Sequence, residues 1–140
     1  MKLTVKFKKL NENAKMPFRG TTGSAGYDLT ATAIGLGPVP DTIVYGTGLA
    51  VEIPTGYVGL IFPRSSVYKT GMILTNCVGV IDSDYRGEIK AVFRIGDNPY
   101  GIGERIMQMI IMPVPEVEYI EVDNLSETDR GTGGYGSTGK

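Results

Sequence analysis

Residues Leu49–Phe62 read LAVEIPTGYVGLIF, and this stretch decides the predicted fold. The segments before and after its centre, 49–53 and 57–62, alternate with the two-residue period of a half-buried strand. Between them lies Pro54-Thr55-Gly56, in which proline presets the first turn position and glycine accepts a positive φ at the end. The stretch therefore predicts two strands joined as a hairpin.

The same alternation recurs along the chain. It predicts further strands at Leu3–Phe7, Ile43–Tyr45, Met72–Thr75, Val78–Ile81, Glu88–Arg94 and Arg105–Pro113. Only Ser65–Lys69 favours a short helical turn, because no segment has a sustained apolar stripe with the 3.6-residue period of a helix. Many short strands separated by Gly and Pro predict an all-β sandwich, jelly roll or barrel.

Composition limits the possible functions. The length of 140 residues fits one domain, and a hydrophobic content of 41% is ordinary for a globular protein. A formal net charge of −1 gives no long-range attraction to nucleic acid or to an anionic membrane, so neither partner is expected. No signal peptide and no apolar run of the ~20 residues that span a bilayer are visible. We therefore expect a cytoplasmic protein.

The residue types exclude several catalytic schemes. There are no histidines, which removes Ser–His and Cys–His hydrolases and His-ligated zinc. Any acid–base chemistry must therefore use carboxylates, tyrosines, lysines or metal-bound water. The single cysteine, Cys77, lies next to an apolar run, which predicts a small buried hydrophobe rather than a nucleophile.

The C-terminal tail, residues 130–140, differs from the rest of the chain. It holds five glycines, one arginine, one lysine, one tyrosine and three Ser or Thr residues, so it cannot form a core. It is either a frayed terminus or a segment whose backbone amides close around phosphate oxygens. The residues alone leave both interpretations open.

Four internal segments could carry chemistry. Gly79–Ile89 places Asp82, Asp84 and Tyr85 between apolar runs, which fits either a solvated turn or a catalytic cluster. Pro63–Ser66 places an arginine beside two hydroxyls after a strand, which suits phosphate oxygens or a simple salt bridge with a Ser turn. Ala25–Leu29 and Gly103–Met109 are by themselves consistent with buried strands.

Taken in order, these four segments and the tail resemble the five motifs of trimeric dUTP pyrophosphatases (dUTPases), and the resemblance covers almost the whole chain. It implies an all-β jelly-roll (β-clip) fold, single-domain, with a core at residues 1–129 and a flexible Gly-rich C-terminal arm at 130–140. It also implies a homotrimer whose active sites lie between subunits, with the arm of one subunit closing the site of a neighbour.

The resemblance implies a specific reaction. Asp82 would be the general base that activates a water for attack on the α-phosphorus of dUTP, giving dUMP and pyrophosphate. Mg²⁺ would bind the triphosphate, with Asp28 near it only through water. Such an enzyme limits uracil incorporation into DNA and supplies dUMP for thymidylate synthesis.

Substrate contacts follow from the same resemblance. The hairpin from Asn76 to Tyr85 would read uracil, and the Tyr85 ring would pack beneath the deoxyribose and exclude a ribose 2′-OH. The tail aromatic is Tyr135, where the family usually has phenylalanine. The implied substrate-binding residues are Arg64, Ser65, Ser66, Asn76, Gly79, Ile81, Tyr85, Gln108, Arg130, Tyr135, Gly136, Ser137 and Thr138.

Two alternatives differ in function. A dCTP deaminase shares the fold and several motifs, but it uses a glutamate base at the position that Val92 occupies here. A valine cannot transfer protons, which disfavours deamination. The second alternative is a non-catalytic jelly roll that binds nucleotides or a protein partner through the same surface.

Overall fold

The computed structural model describes residues 2–139 and confirms the all-β prediction. Its elements are β1 (Lys6–Lys9), β2 (Tyr27–Thr30), β3 (Ala33–Leu36), β4 (Thr42–Glu52), β5 (Tyr57–Pro63), a 3₁₀ helix (Ser65–Lys69), β6 (Ile73–Leu74), β7 (Gly79–Ile81), β8 (Glu88–Arg94) and β9 (Arg105–Pro113). Across these described residues, no helix has both the length and the apolar character needed to cross a bilayer.

The strands form two antiparallel sheets. In the first sheet the order is β1-β4-β8-β6, and β3 also pairs with β4. In the second sheet the order is β2-β9-β5-β7. Both sheets contribute to one apolar cluster, whose largest fully buried side chains include Tyr45, Phe93, Leu29, Leu49, Ile89, Ile106 and Met107. This shared core fixes the two sheets against each other.

Strand β4 joins two segments that the sequence predicts as separate strands. Its register with β8 shifts between Gly46 and Ala50, and Gly48 has a φ of 67°. Thr47 lies in this irregular part and is fully buried, and its Oγ1 donates a 2.7 Å hydrogen bond to the Ile89 carbonyl. The glycines therefore form a bulge within one strand rather than a turn between two.

The turn at Pro54–Gly56 is confirmed, but the predicted hairpin is wrong. The Tyr57 amide donates to the Pro54 carbonyl at 3.1 Å, and Gly56 has a φ of 89°. However, β4 pairs with β1, β3 and β8, whereas β5 pairs with β7 and β9. The turn therefore connects the two sheets. Backbone hydrogen-bonding groups are the same in every strand, so the alternation could not identify the partner.

The prediction that Cys77 is buried is also wrong. The Cys77 side chain is exposed, its φ is 63°, and its amide donates to the Leu74 carbonyl at 3.0 Å. Strand β6 ends at Leu74, so the chain turns before the apolar run that follows. The sequence also missed β3, whose four residues are all exposed and therefore show no alternation in burial.

Candidate active site

A carboxylate and two arginines form an ion-pair cluster on neighbouring strands of the second sheet. Asp28 lies on β2, Arg64 directly follows β5, and Arg105 begins β9, which lies between those strands. Asp28 Oδ2 is 3.2 Å from Arg64 Nε and 3.3 Å from Arg105 Nη1. Arg64 Nη1 also donates to the Arg105 carbonyl at 3.1 Å. The antiparallel order therefore holds both guanidinium groups around one largely buried carboxylate.

Gln108 is held beside this cluster. It lies on β9 opposite both Asp28 and Phe62, and its Nε2 donates to the Pro63 carbonyl at 3.0 Å. A side chain at Gly26 would collide with the Gln108 amide. The glycine next to β2 therefore leaves the room that the glutamine occupies.

The two arginines border a polar pocket, called here the cationic pocket, with a volume of about 450 Å³. It is lined by Arg64, Ser66, Lys69, Thr70, Asn98, Pro99, Tyr100, Gly103, Glu104 and Arg105. Three of these side chains are cations and one is an anion, so the pocket suits a polyanion. Ser65 is exposed at the start of the 3₁₀ helix and is not among the lining residues.

Residues 76–85, called here the 76–85 loop, connect the two sheets. The family resemblance implies a hairpin here, but β7 pairs with β5 in the second sheet, whereas β6 and β8 pair with each other in the first. Gly79 allows this pairing because its missing side chain leaves β7 close to Ile61, to whose Cβ an added Cβ would be 3.1 Å away. The prediction of a paired hairpin is therefore wrong, and the loop instead bridges the edges of both sheets.

Asp82 and Tyr85 lie at the end of this loop in a small pocket of about 220 Å³. The Tyr85 amide donates to the Asp82 carbonyl at 3.1 Å, and the Tyr85 hydroxyl donates to the Glu88 carbonyl at 2.8 Å. A side chain at Gly87 would collide with the Tyr85 ring, so the glycine leaves the room that the phenol end of the ring occupies. Asp82 is exposed, and no cation within residues 2–139 forms a salt bridge with it.

Asn76, Gly79 and Ile81 line a second pocket of about 220 Å³, which shares Val80, Ile81 and Lys90 with the Asp82 pocket. Val92 and Lys90 from β8 also line it. Strand β7 is the outermost strand of its sheet. Backbone groups on its outer edge are therefore not used by another strand and are available to a planar ligand.

The tail makes local turns only. Arg130 Nε donates to the Gly133 carbonyl at 2.8 Å, and the Ser137 amide donates to the Gly134 carbonyl at 3.1 Å. Tyr135 is fully exposed, with a φ of 50°, and Gly136 and Thr138 are exposed as well. Neither the cationic pocket nor the Asp82 pocket has a lining residue from the tail. Lys140 lies outside the described residues.

Within one chain, the structure thus brings the predicted site residues into three groups. The first group borders the cationic pocket, the second lies on the 76–85 loop, and the third is the tail. The cationic pocket and the Asp82 pocket share no lining residue. The sequence prediction did not assign roles to Arg105, Lys69 or Tyr100, which also belong to the first group. Arg105 lies within the Gly103–Met109 motif, whereas Tyr100 has no sequence signal beyond being an isolated aromatic.

The described residues do not form a metal site made only of protein ligands. No group of three or more His, Cys, Asp or Glu residues within 2–139 is placed to hold an ion. Asp28 already pairs with two arginines. An ion that is held mainly by substrate phosphates and water fits this arrangement, since Mg²⁺ keeps several waters and needs few protein carboxylates.

Comparison with known proteins identifies the family. A dUTPase family model matches residues 12–139. A deoxyuridine 5′-triphosphate nucleotidohydrolase of Hydrogenobaculum sp. (strain Y04AAS1) is 45% identical, covering 99% of each chain. The structure of the Staphylococcus bacteriophage 80alpha dUTPase with dUpNHpp aligns with a TM-score of 0.82 and 29% identity, covering 98% of this chain and 99% of that one. A mutant dUTPase of phage phi11 of S. aureus, described as coordinating a structural Mg(II) ion, aligns with a TM-score of 0.71 and 27% identity, covering 86% of this chain and 97% of that one. This jelly-roll chain therefore belongs to the dUTPase family, the enzymes that hydrolyse dUTP.

Proposed function

We propose that this chain hydrolyses dUTP to dUMP and pyrophosphate, with Asp82 as the general base. The observation that carries the proposal is the contrast between the two carboxylates of the site. Asp28 is neutralised by two arginines, whereas Asp82 is exposed and forms no salt bridge within the described part of the chain. A carboxylate that is not engaged in an ion pair is free to accept a proton from water.

In the proposed step, Asp82 takes a proton from a water whose oxygen forms a bond to the α-phosphorus. The bond between the α-phosphorus and the oxygen that bridges to the β-phosphorus breaks, and that oxygen leaves with pyrophosphate. Negative charge grows on the phosphate oxygens during this step. Arg64, Ser66 and Gln108 would stabilise it, because donors fixed by the fold need not reorganise when the charge develops.

Mg²⁺ bound to the triphosphate would neutralise part of its charge and orient it. On this chain, Asp28 would reach the ion only through water, as its carboxylate already contacts Arg64 and Arg105. The role of Asp28 is therefore to orient the arginines and metal-bound waters rather than to bind the metal directly.

The 76–85 loop would select the nucleotide. Free backbone groups of β7 and the Asn76 amide can match the donor and acceptor edge of uracil, while cytosine would leave buried groups unpaired. Val92 lines this pocket and carries no titratable group, which favours hydrolysis over deamination. In a cell, the reaction would limit uracil incorporation into DNA and supply dUMP for thymidylate synthesis.

We also propose a homotrimer with active sites between subunits. The three groups of site residues are separate within one chain, so a complete site needs more than one copy. The segment between β9 and the tail supports this assembly, since Val117, Ile120 and Leu125 are 56%, 71% and 87% exposed. Apolar side chains of this kind are more stable when packed against a neighbour. Arg130, Gly136, Ser137 and Thr138 would then close over the β- and γ-phosphates, with Tyr135 stacked on the base.

The function is tested by pyrophosphate release from dUTP, UTP, dCTP and dTTP with Mg²⁺. We expect the unaltered protein to prefer dUTP strongly. In Tyr85→Ala, the dUTP-to-UTP ratio of kcat/KM should fall by about tenfold or more, because the ring that excludes a 2′-OH is gone. Tyr85→Phe is the matched control. It removes the 2.8 Å hydrogen bond to Glu88 but keeps the ring, so discrimination should persist. Equal turnover of dUTP and UTP by the unaltered protein would contradict the role of Tyr85.

A further inference from the structure

Tyr100 carries a buried phenol that the reaction described above does not use. The residue is only 8% exposed, and its Oη has no hydrogen-bond partner within residues 2–139. Nearly all buried polar side-chain atoms in native proteins have a partner. The missing partner therefore points to a hydrogen bond that this hydroxyl completes only when a ligand is bound.

The Tyr100 ring cannot turn away to find another partner. It packs edge-to-face against Tyr45 and Phe93, with ring centroids 6.3 Å and 6.1 Å away. Its backbone carbonyl accepts a 2.8 Å hydrogen bond from the Tyr45 hydroxyl. Both the backbone and the ring are thus held by the core, and the direction of the phenol is fixed.

That direction is towards the cationic pocket, where Tyr100 is a lining residue together with Arg64 and Ser66. Burial raises the pKa of Tyr100 above its ordinary value and outweighs the lowering by Arg64 and by the Ser66 hydroxyl. The phenol therefore stays protonated at neutral pH and remains a donor. Hydrogen bonding to the Ser66 hydroxyl is one of the influences that lower this pKa, yet the contact does not reach the distance and angle of a full hydrogen bond. The two hydroxyls are therefore neighbours without a full hydrogen bond between them.

We propose that Tyr100 is a positioning residue of the phosphate site, which donates a hydrogen bond to Ser66 Oγ when the triphosphate binds. The bond would leave the Ser66 proton directed at a phosphate oxygen, and a hydroxyl that accepts one hydrogen bond donates a stronger one. This inference rests on the proposed function, in which Ser66 contacts phosphate. It adds a residue from outside the five motifs to the site.

The test is a double-mutant cycle on binding of the dUTP analogue dUpNHpp with Mg²⁺, measured by calorimetry. Tyr100→Phe keeps the ring, so the fold should persist. We expect the dissociation constant for dUpNHpp to rise three- to tenfold, because one hydrogen bond is lost. Deoxyuridine, which has no phosphate, should bind within twofold of its affinity for the unaltered protein. In the Ser66→Ala background, Tyr100→Phe should cause no further loss, because the acceptor is already absent.

The matched control is Tyr45→Phe, which removes another buried hydroxyl from the same aromatic cluster. It should lower the unfolding temperature and leave the affinity for dUpNHpp within twofold. The inference is wrong if Tyr45→Phe weakens binding as much as Tyr100→Phe does, if Tyr100→Phe has no effect, or if its effect is the same with and without Ser66. An unaltered protein that does not hydrolyse dUTP would instead contradict the proposed function, so the two failures are distinguishable.

Discussion

Replacing Asp82 by asparagine is expected to lower kcat for dUTP by about 10²–10⁴-fold, the usual contribution of a general base. The amide has nearly the same shape but cannot accept a proton from the attacking water. Binding should survive, because Asp82 lies outside the cationic pocket. Single-turnover hydrolysis measures the chemical step, and titration with dUpNHpp measures binding.

Asp84→Asn provides the matched control for this prediction. The same substitution is made two residues further along the same loop, where the carboxylate is also exposed. We expect its kcat to stay within about threefold of the unaltered value, since the field of one exposed carboxylate that does not contact the reacting atoms is weakened by water and salt. Unchanged turnover by Asp82→Asn, or equal losses in both variants, would refute the assignment of the base to Asp82.

Ending the chain after Asp129 is expected to lower kcat/KM for dUTP at least about 100-fold, an effect comparable to the loss of one strong oxyanion donor. The tail would close over the phosphates and exclude water other than the attacking one. Its backbone hydrogen bonds within residues 130–139 are local turns. The truncated protein should therefore unfold at nearly the same temperature and keep the mass of a trimer in solution.

Glu127→Gln serves as the control for the truncation, because it alters an exposed residue of the segment just before the tail. It should leave kcat/KM unchanged. Full activity after truncation would mean that the tail is only a frayed terminus. A monomeric mass for the unaltered protein would contradict the inter-subunit site.

The local structure was largely predictable from residue patterns. The bounds of β8, β9 and the 3₁₀ helix match the prediction, because alternation and turn residues act over a few neighbouring positions. Two predictions of local structure are wrong, and each concerns a position whose residue type fits two different backbone conformations. Gly48 forms a bulge rather than ending a strand, and Cys77 lies in an exposed turn rather than in the core.

The composition of the site was less predictable from physical patterns alone. Asp28, Arg64 and Arg105 are far apart in sequence, and only the β2-β9-β5 order brings them together. The motif resemblance identified Asp28 and Arg64 but gave no role to Arg105. Tyr100 could not be found at all, because its significance comes from burial without a hydrogen-bond partner, a property that exists only in the folded chain.

The stretch Leu49–Phe62 shows which features the sequence determines and which features depend on the tertiary structure. By itself the sequence determined two strands and a turn at Pro54–Gly56, since side-chain alternation and the φ preferences of proline and glycine are local properties. Only the tertiary structure decided that these strands belong to different sheets. The physical reason is that strands pair through backbone groups that every residue shares, so the partner is selected by how both sheets bury their apolar faces in one core.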